Sequence, residues 1–318
     1  MNWQYHPQEV IWRPRGETGL GRALAARLHA DYPTAWVGHG AAFETCAEAL
    51  AVPELGAKLI FTGRQSLWNR EGHPDLGLQK SLLQGFDLAV VEGLVDSEAP
   101  WIVELDDGGK GMEDIPPSSL RQVVALVGTC GPVADLPPGG IPRFPPTEID
   151  DLAHHLLDVL EQAGRARPIH GLLLATGDDS ASGREAAIRA LNEVCDRIWS
   201  PLDDDTLRRA GVERLESNHP SWGQSGQILS IQERTPEAAI VTLEASSEQA
   251  AKLDRLLESR DVLTEATAFH ARETHMPNPG CAVWEPRSRQ RILSMLSLDV
   301  ACLRRTLVAA GTKLVEGP

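Results

Sequence analysis

The sequence predicts an α/β protein built from two doubly wound domains, and three observations lead to that prediction. Short apolar segments of strand length alternate with amphipathic helical segments along the chain. Glycine-bearing loops join a strand to a helix at 16–21 and again at 177–183. The 318 residues suffice for about two domains, which we place at 1–163 and 169–318, joined by a short basic linker at 164–168.

Composition narrows the class of protein. Hydrophobic residues make up 42% of the chain and charged residues 24%, which is typical of a globular protein in water. A net charge of −15 argues against nucleic-acid binding and against an anionic membrane face. The first residues lack the features of a secretory signal, and no apolar run is long enough to enter a bilayer. Five widely spaced cysteines indicate reduced thiols, so we expect a cytoplasmic location.

The N-terminal half is predicted to consist of strands separated by helices. Leu20, Leu24, Ala25 and Leu28 fall on one face, which predicts a helix after the first loop. Two more helices are expected at 76–86 and at 146–162. The apolar segments that predict strands lie at 9–12, 34–38, 57–63, 87–94, 101–105, 123–128 and 142–144.

The first loop keeps the spacing of a phosphate-binding loop but not all of its chemistry. From Gly16 to Ala23 the chain reads G-x-x-x-x-G-R-A, with further glycines at Gly19 and Gly21. Arg22 stands where a lysine would reach the β- and γ-phosphates, and it can still carry the positive charge. Ala23 stands where a hydroxyl would hold Mg²⁺, and alanine cannot bind a metal. The domain is therefore P-loop-like with a degenerate motif.

A carboxylate follows a later strand of this half. Glu92 ends DLAVVEGL beside a glycine, where nucleotide-binding α/β proteins place a carboxylate near the metal. Together with the loop at 16–23, WIVEL and the helix after LPPGGIPRFPP, this segment resembles the molybdopterin-guanine dinucleotide biosynthesis adaptor, a GTP-binding protein. The resemblance covers about residues 8–162 and implies a guanine nucleotide as ligand.

The C-terminal half repeats the alternation of strands and helices. Strands are predicted from the apolar segments at 172–174, 196–202, 212–217, 238–245, 280–285 and 312–316. Helices are predicted at 184–194, near 205–211, and from a glycine-rich turn at 222–227 to about 233, with two more before the last strand. A Rossmann-like domain fits this order.

The loop from Gly177 to Gly183 is either a phosphate cradle or an ordinary strand-to-helix turn. Here the chain reads LATGDDSASGREA, which resembles the L-A-G-G-x-S-x-R-M-G-x-D-K signature of molybdenum cofactor guanylyltransferases. That nucleotidyltransferase family joins GMP from GTP to molybdopterin. The resemblance covers about residues 168–316, and its pairing with the adaptor-like half implies a fusion of two proteins that work together.

Carrying the signature over residue by residue shows which groups have changed. Thr176 and Gly177 occupy the glycine pair, and Gly183 occupies the later glycine. Ala181 falls on the family's arginine and Ala186 on its lysine, so both cations are absent. Arg184 either compensates in part for them or is a solvated residue of the first helical turn.

The metal position has changed as well. The family's Mg²⁺ aspartate falls near Ser246, and Glu244 is the nearest carboxylate, although strand alternation can turn it away. Asp178 and Asp179 either recruit a metal or are solvated turn residues. In the glycine-bearing turn with Gly223 and Gly226, Trp222 either stacks on a purine or pterin or packs the loop against the sheet.

Three hypotheses follow. Losses at several charge and metal positions favour a non-catalytic descendant that binds molybdopterin or its guanine dinucleotide and assists a molybdoenzyme or other cofactor-biosynthesis proteins. An active guanylyltransferase using GTP and Mg²⁺ is the first alternative. A structural subunit of a larger assembly is the second.

Overall fold

The computed structural model describes residues 8–14, 19–37, 61–62, 65–66, 87–92, 99–106, 111, 115, 117–128, 140–174, 180–270 and 276–316. The predicted helix at 76–86 and most of the predicted strand at 57–63 lie outside these residues, as do Gly16, Thr176, Gly177, Asp178 and Asp179. The chain divides into two compact units, which are His6–Gln162 and Ala163–Pro318. Both contain parallel strands and helices, so the predicted α/β class is confirmed.

The first unit contains a parallel sheet with strand order β2-β5-β1-β6-β7-β8. Its strands are β1 (Gln8–Arg13), β2 (Thr34–Val37), β5 (Leu88–Glu92), β6 (Trp101–Glu104), β7 (Val123–Val127) and β8 (Arg143–Phe144). The other elements are helix α1 (Leu20–His29), a short antiparallel pair of β3 (Phe61–Thr62) and β4 (Gln65–Ser66), a 3-10 helix (Pro117–Gln122) and helix α2 (Ile149–Arg165). Strand β1 lies between β5 and β6.

Alternation along β1 sends its side chains to opposite faces of this sheet. Ile11 packs in a cluster with Val91 and Val103 on one face. Trp12 lies on the other face, where Gly21 of α1 approaches its ring. The apolar side of α1 is buried as the spacing predicts, with Leu24, Ala25 and Leu28 fully covered. The first turn of α1 is thereby held over the ends of β1 and β5.

The second unit contains a mixed sheet with strand order β11-β10-β9-β12-β14-β13-β15, in which β14 is antiparallel to both its neighbours. Its strands are β9 (Ile169–Leu174), β10 (Arg197–Ser200), β11 (Glu213–Arg214), β12 (Ala239–Glu244), β13 (Ala266–His270), β14 (Pro277–Trp284) and β15 (Thr312–Glu316). Its helices are α3 (Ala181–Val194), α4 (Asp205–Arg209), α5 (Gly223–Arg234), α6 (Ser247–Ala250), α7 (Leu253–Glu258), α8 (Ser288–Ser297) and α9 (Leu303–Ala309).

Helices cover both faces of the second sheet. Val241 and Leu243 pack with Leu191 of α3 on one face. Ile240 and Trp284 pack with Leu229 of α5 on the other. Strands covered on both faces are almost continuously apolar, which is why β9 and β12 could be recognised from sequence.

Several elements differ from the sequence predictions in their bounds, and one strand was not predicted. Helix α2 runs to Arg165 instead of ending at 162, because Pro168 is the first residue that prevents its continuation. The segment predicted as a glycine-rich turn at 222–227 is helical from Gly223 onward. Strand β13 was not predicted, since its small buried residues show no alternation. Within the described residues, no helix has both the length and the apolar character needed to cross a membrane.

Candidate functional site

The first candidate site lies where β1 passes into α1. Gly19 caps the helix with a left-handed φ of 68°, a conformation that favours glycine. A Cβ on Gly21 would lie 2.5 Å from Oε1 of Glu92 and 3.0 Å from the Trp12 ring. Gly21 therefore permits the close approach of the helix to the strand ends. Gly16 lies outside the described residues.

Glu92 ends β5 at this point and is half-buried. Trp36 Nε1 donates a 3.0 Å hydrogen bond to its Oε1. Burial raises the pKa of Glu92, the Trp36 hydrogen bond lowers it, the charge of Glu104 raises it and that of Arg22 lowers it, with a raised pKa as the net result. The structure thus brings Gly21 against Glu92, and the charge of Arg22 acts on the same carboxyl group.

Two donors that the sequence reasoning missed lie at the end of β1. Trp12 pairs in register with Glu92, and its buried Nε1 has no hydrogen-bond acceptor among the described residues. Nη1 of Arg13 is likewise buried without an acceptor in that part of the chain. Leaving a donor unpaired costs about 1–3 kcal/mol. These groups can donate to an anion, and their position just before a glycine-bearing loop was the available signal.

The donor set suits an anion better than a metal. Ala23 supplies no hydroxyl, and the Glu92 carboxylate accepts from an indole. Across the described ranges, no three His, Cys, Asp or Glu side chains gather as metal ligands. The described residues beside the start of α1 therefore bring together no set of oxygen ligands for Mg²⁺.

In the second unit, α3 begins after the loop that resembles the guanylyltransferase signature. Ser180 caps the helix, since its Oγ accepts a 3.0 Å hydrogen bond from the N–H of Gly183. A Cβ on Gly183 would lie 2.9 Å from the carbonyl oxygen of Ala245, just beyond β12. Gly183 thus allows the helix to pack closely against the chain that follows β12.

Arg184, the cation in the first turn of α3, forms an ion pair with Asp204. Nη1 of Arg184 donates a 2.9 Å hydrogen bond to Oδ2 of Asp204, which also caps α4 by accepting from the N–H of Thr206 at 2.7 Å. Hydrogen bonds from Thr206 and the charge of Arg184 lower the pKa of Asp204, so the carboxylate is ionised at neutral pH. Arg184 is therefore a partly exposed residue of the first helical turn that pairs with Asp204.

Glu244, the last residue of β12, and Ser246, which follows it, both make contacts that stabilise the fold. Oγ of Ser246 accepts from the N–H of Gln249 at 3.1 Å and caps α6. The carboxyl group of Glu244 occupies the space where Gly280 of β14 lacks a side chain. Glu244 alternates with Leu243, which packs towards α3, so alternation turns the carboxylate away from that helix.

The second glycine-bearing segment also has structural contacts. Trp222 stacks on His219 with ring centroids 4.7 Å apart and packs against the apolar cluster beneath α5. His219 is fixed by a 2.9 Å contact between its Nε2 and Glu233. Gly226 lies inside α5, where a Cβ would collide with the carbonyl of His219, and Gly223 with its φ of 53° begins the helix. These contacts agree with the packing interpretation of Trp222.

Sheet order and site geometry together define an α/β protein in which each of two units carries a helix after its central parallel strand. No family model and no curated protein matches the chain. Solved structures that are similar to part of this chain include a protein from Aquifex aeolicus VF5, with 12% identity over 48% of this chain and 88% of its own, at a TM-score of 0.37.

Two further structures are similar to parts of this chain. Molybdopterin-guanine dinucleotide biosynthesis protein A from Archaeoglobus fulgidus has 10% identity over 46% of this chain and 83% of its own, with a TM-score of 0.34. Glucosyl-3-phosphoglycerate synthase from Mycobacterium tuberculosis, solved with Mn²⁺ and UDP-glucose, has 11% identity over 50% of this chain and 72% of its own, with a TM-score of 0.32.

Proposed function

We propose that this chain is a molybdenum-cofactor-related protein in which an adaptor-like unit and a guanylyltransferase-like unit are joined. In this proposal it does not catalyse guanylyl transfer. It binds molybdopterin or its guanine dinucleotide and assists the maturation of a molybdoenzyme. The order of motifs in both halves supports the relationship, and the seven-stranded sheet with one antiparallel strand accommodates it.

The observation that carries the non-catalytic assignment is the ion pair between Arg184 and Asp204. The signature's arginine and lysine are replaced by Ala181 and Ala186, so Arg184 is the cation that remains in this stretch. A unit charge about 5 Å from a phosphate contributes roughly 3 kcal/mol at an effective dielectric of about 20. Because Arg184 already pairs with Asp204, much of that attraction is lost to a triphosphate.

Guanylyl transfer also needs a metal ion to neutralise the phosphates. Ser246 replaces the metal-binding aspartate and caps α6, while Glu244 packs over Gly280. Neither residue is available to a metal beside α3. The described part of the second unit therefore supports a scaffold without the groups that make the transfer reactive.

A ligand-binding role is supported over a purely structural one by the first unit. Among the described residues, the buried Nε1 of Trp12 has no acceptor, and Trp12 lies on the face of the sheet where Gly21 of α1 approaches it and Glu92. Donors left unpaired in a folded protein are costly, and an anionic group repays that cost. The phosphate of molybdopterin is such a group.

Calorimetric titration of the full chain separates the three hypotheses. We expect no heat from GTP with Mg²⁺ at millimolar concentration, and micromolar binding of molybdopterin or its guanine dinucleotide. Formation of the dinucleotide from GTP and molybdopterin would overturn the non-catalytic proposal. Absence of binding by all these ligands would favour a structural subunit.

A pair of substitutions tests the ion pair directly. Asp204→Asn removes the ion pair with Arg184 and, combined with Ala181→Arg, should raise GTP affinity by about tenfold or more, since about 1.4 kcal/mol of added attraction is a factor of ten. Asp205→Asn is the matched control, because Asp205 pairs with Arg208 on the exposed side of α4. Equal GTP affinities in the two variants would show that the pairing of Arg184 is irrelevant.

A further inference from the structure

The start of α1 brings hydrogen-bond donors together on one side of the first sheet. The edge of the Trp12 ring that carries Nε1 faces this helix, because its Cδ1 lies 3.1 Å from the position that a Cβ on Gly21 would occupy. Trp12 is fully buried, and its Nε1 has no acceptor among the described residues. The N–H of Ala23 bonds to the Gly19 carbonyl. The N–H groups of Gly21 and Arg22 make no hydrogen bond to a described residue, so they remain available together with the indole.

Arg22 adds a positive charge at the same place. Its Nη2 lies 3.9 Å from the position that a Cβ on Gly19 would occupy, so the guanidinium folds back over the start of the helix. Within the described part of the chain, this half-buried side chain forms no hydrogen bond or ion pair, and the first turn of α1 contains no acidic residue. A helix start with an unpaired guanidinium and a buried unpaired donor favours an anion.

Glu92 places an acceptor among these donors. Its Oε1 lies 2.5 Å from the position of a Cβ on Gly21 and accepts the hydrogen bond from Trp36. Its Oε2 accepts no hydrogen bond from a described residue. Among those residues, Glu104 of β6 and Arg22 of α1 are the charged groups that act on this carboxyl group, with opposite effects on its pKa. One oxygen of Glu92 is therefore held by the fold, and the other is open to a ligand.

A carboxylate beside a set of donors imposes a condition on the anion that binds there. An ionised carboxylate can only accept hydrogen bonds, so an oxyanion can approach Oε2 of Glu92 only if a proton lies between the two oxygens. Without that proton, two negatively charged oxygens face each other and repel. Inorganic phosphate carries such a proton at neutral pH, whereas sulfate, which has the same shape, does not. The presence of the proton therefore distinguishes two ligands that are otherwise alike.

We propose that Glu92 makes the start of α1 selective for phosphate groups that carry a proton, by accepting a hydrogen bond from the phosphate O–H. Trp12 and Arg22 donate to the remaining oxygens of the ligand. This inference rests on the anion binding proposed above for the first unit and narrows its ligand to a phosphate monoester. A monoester such as the phosphate of molybdopterin can carry the required proton. The internal diphosphate of a dinucleotide carries none at neutral pH and is disfavoured.

Calorimetric titration of the full-length protein with inorganic phosphate and, separately, with sulfate tests the selectivity at neutral pH and constant ionic strength. The wild type should bind phosphate about tenfold or more tightly than sulfate, because repulsion replaces a charge-assisted hydrogen bond. Glu92→Gln should bind the two ions about equally, since an amide can donate to either and keeps an oxygen for the Trp36 indole. Glu148→Gln, at an exposed position just before α2, is the matched control and should keep the preference of the wild type.

A pH series gives a second readout that a merely structural role of Glu92 would not change. Sulfate keeps its charge as the pH falls, whereas protonation of Glu92 supplies the missing proton. The sulfate affinity of the wild type should therefore rise by about tenfold or more between about pH 8 and about pH 5, and that of Glu92→Gln should stay constant.

Three results would overturn the proposal: no binding of phosphate, equal binding of the two ions by the wild type, or an unchanged preference in Glu92→Gln. Molybdopterin binding by a protein without this preference would refute the selectivity and leave the proposed function standing. A preference for phosphate without molybdopterin binding would refute the proposed function and support the selectivity.

Discussion

In both units a helix begins after a central parallel strand, but the polar groups near the two helix starts differ in their hydrogen bonding. In the first unit, the end of β1 keeps buried donors on Trp12 and Arg13 without acceptors among the described residues, beside Glu92 with its raised pKa. In the second unit, Arg184 pairs with Asp204 and Ser246 caps a helix. In the second unit these polar groups make contacts within the fold, whereas in the first unit the two donors have no such contacts among the described residues.

The difference shows that similar helix starts can either satisfy their polar groups within the fold or leave them available to a ligand. Hydrogen bonds and ion pairs that hold a fold together satisfy groups that would otherwise face a ligand. Groups left unsatisfied lower stability and mark positions where a ligand is expected. The predictions below compare the free energies of unfolding of variants at satisfied polar groups and at groups without such contacts.

The largest effect is expected at the most completely paired group, Arg260. Arg260→Ala leaves Glu285 buried without a partner, which should lower the free energy of unfolding by about 3–5 kcal/mol. Urea denaturation measures the loss. Arg189→Ala, which breaks an exposed pair with Glu185, is the control and should change stability by about 0–1 kcal/mol. Similar losses in the two variants would contradict a special role for burial.

A smaller effect is expected at the glycine that brings α3 against the end of β12. Gly183→Ala places a methyl group against the Ala245 carbonyl, and such overpacking costs about 1–3 kcal/mol. The helix preference of alanine over glycine returns about 1 kcal/mol, so we expect a net loss on the order of 1 kcal/mol. Gly280→Ala is the contrast, because it meets the movable side chain of Glu244 and should change stability by about 0.5 kcal/mol or less.

The third test concerns the direction of a pH dependence. The pKa of Glu92 is raised above its ordinary value of 4.5, so the folded state holds this proton more tightly than the unfolded state. The stability that this provides is complete below pH 4.5 and is lost as the pH rises through the folded-state pKa. Glu92→Gln cannot ionise, so its stability relative to the wild type should increase from pH 4.5 upward and then level off.

Glu233 provides the control of opposite sign. Burial raises its pKa, but hydrogen bonds from Asn218 and His219 lower it by more, so the net pKa is below 4.5. Its contribution is present above pH 4.5 and is lost as the pH falls through the folded-state pKa. Glu233→Gln should therefore be less stable than the wild type at pH 7, with a gap that closes in acid. Denaturation at several pH values would refute the contrast if both variants changed in the same direction.

Much of the scaffold was predictable because its signals are local. The apolar run before Ser180 and the helical spacing after it predicted β9 and α3, and the same reasoning placed β1 and α1. Strand β13 was missed because its small residues are buried without a period. The helical start at Gly223 was missed because glycine usually indicates a turn.

The sequence by itself determined the α/β class and the position of the helix starts that follow glycine-bearing segments. These follow from residue type and spacing, which act over a few residues. Only the tertiary structure decided that Arg184 pairs with Asp204 and that the Trp12 indole N–H has no acceptor among the described residues. Such partners come from segments distant in the chain, and the packing of strands and helices selects them.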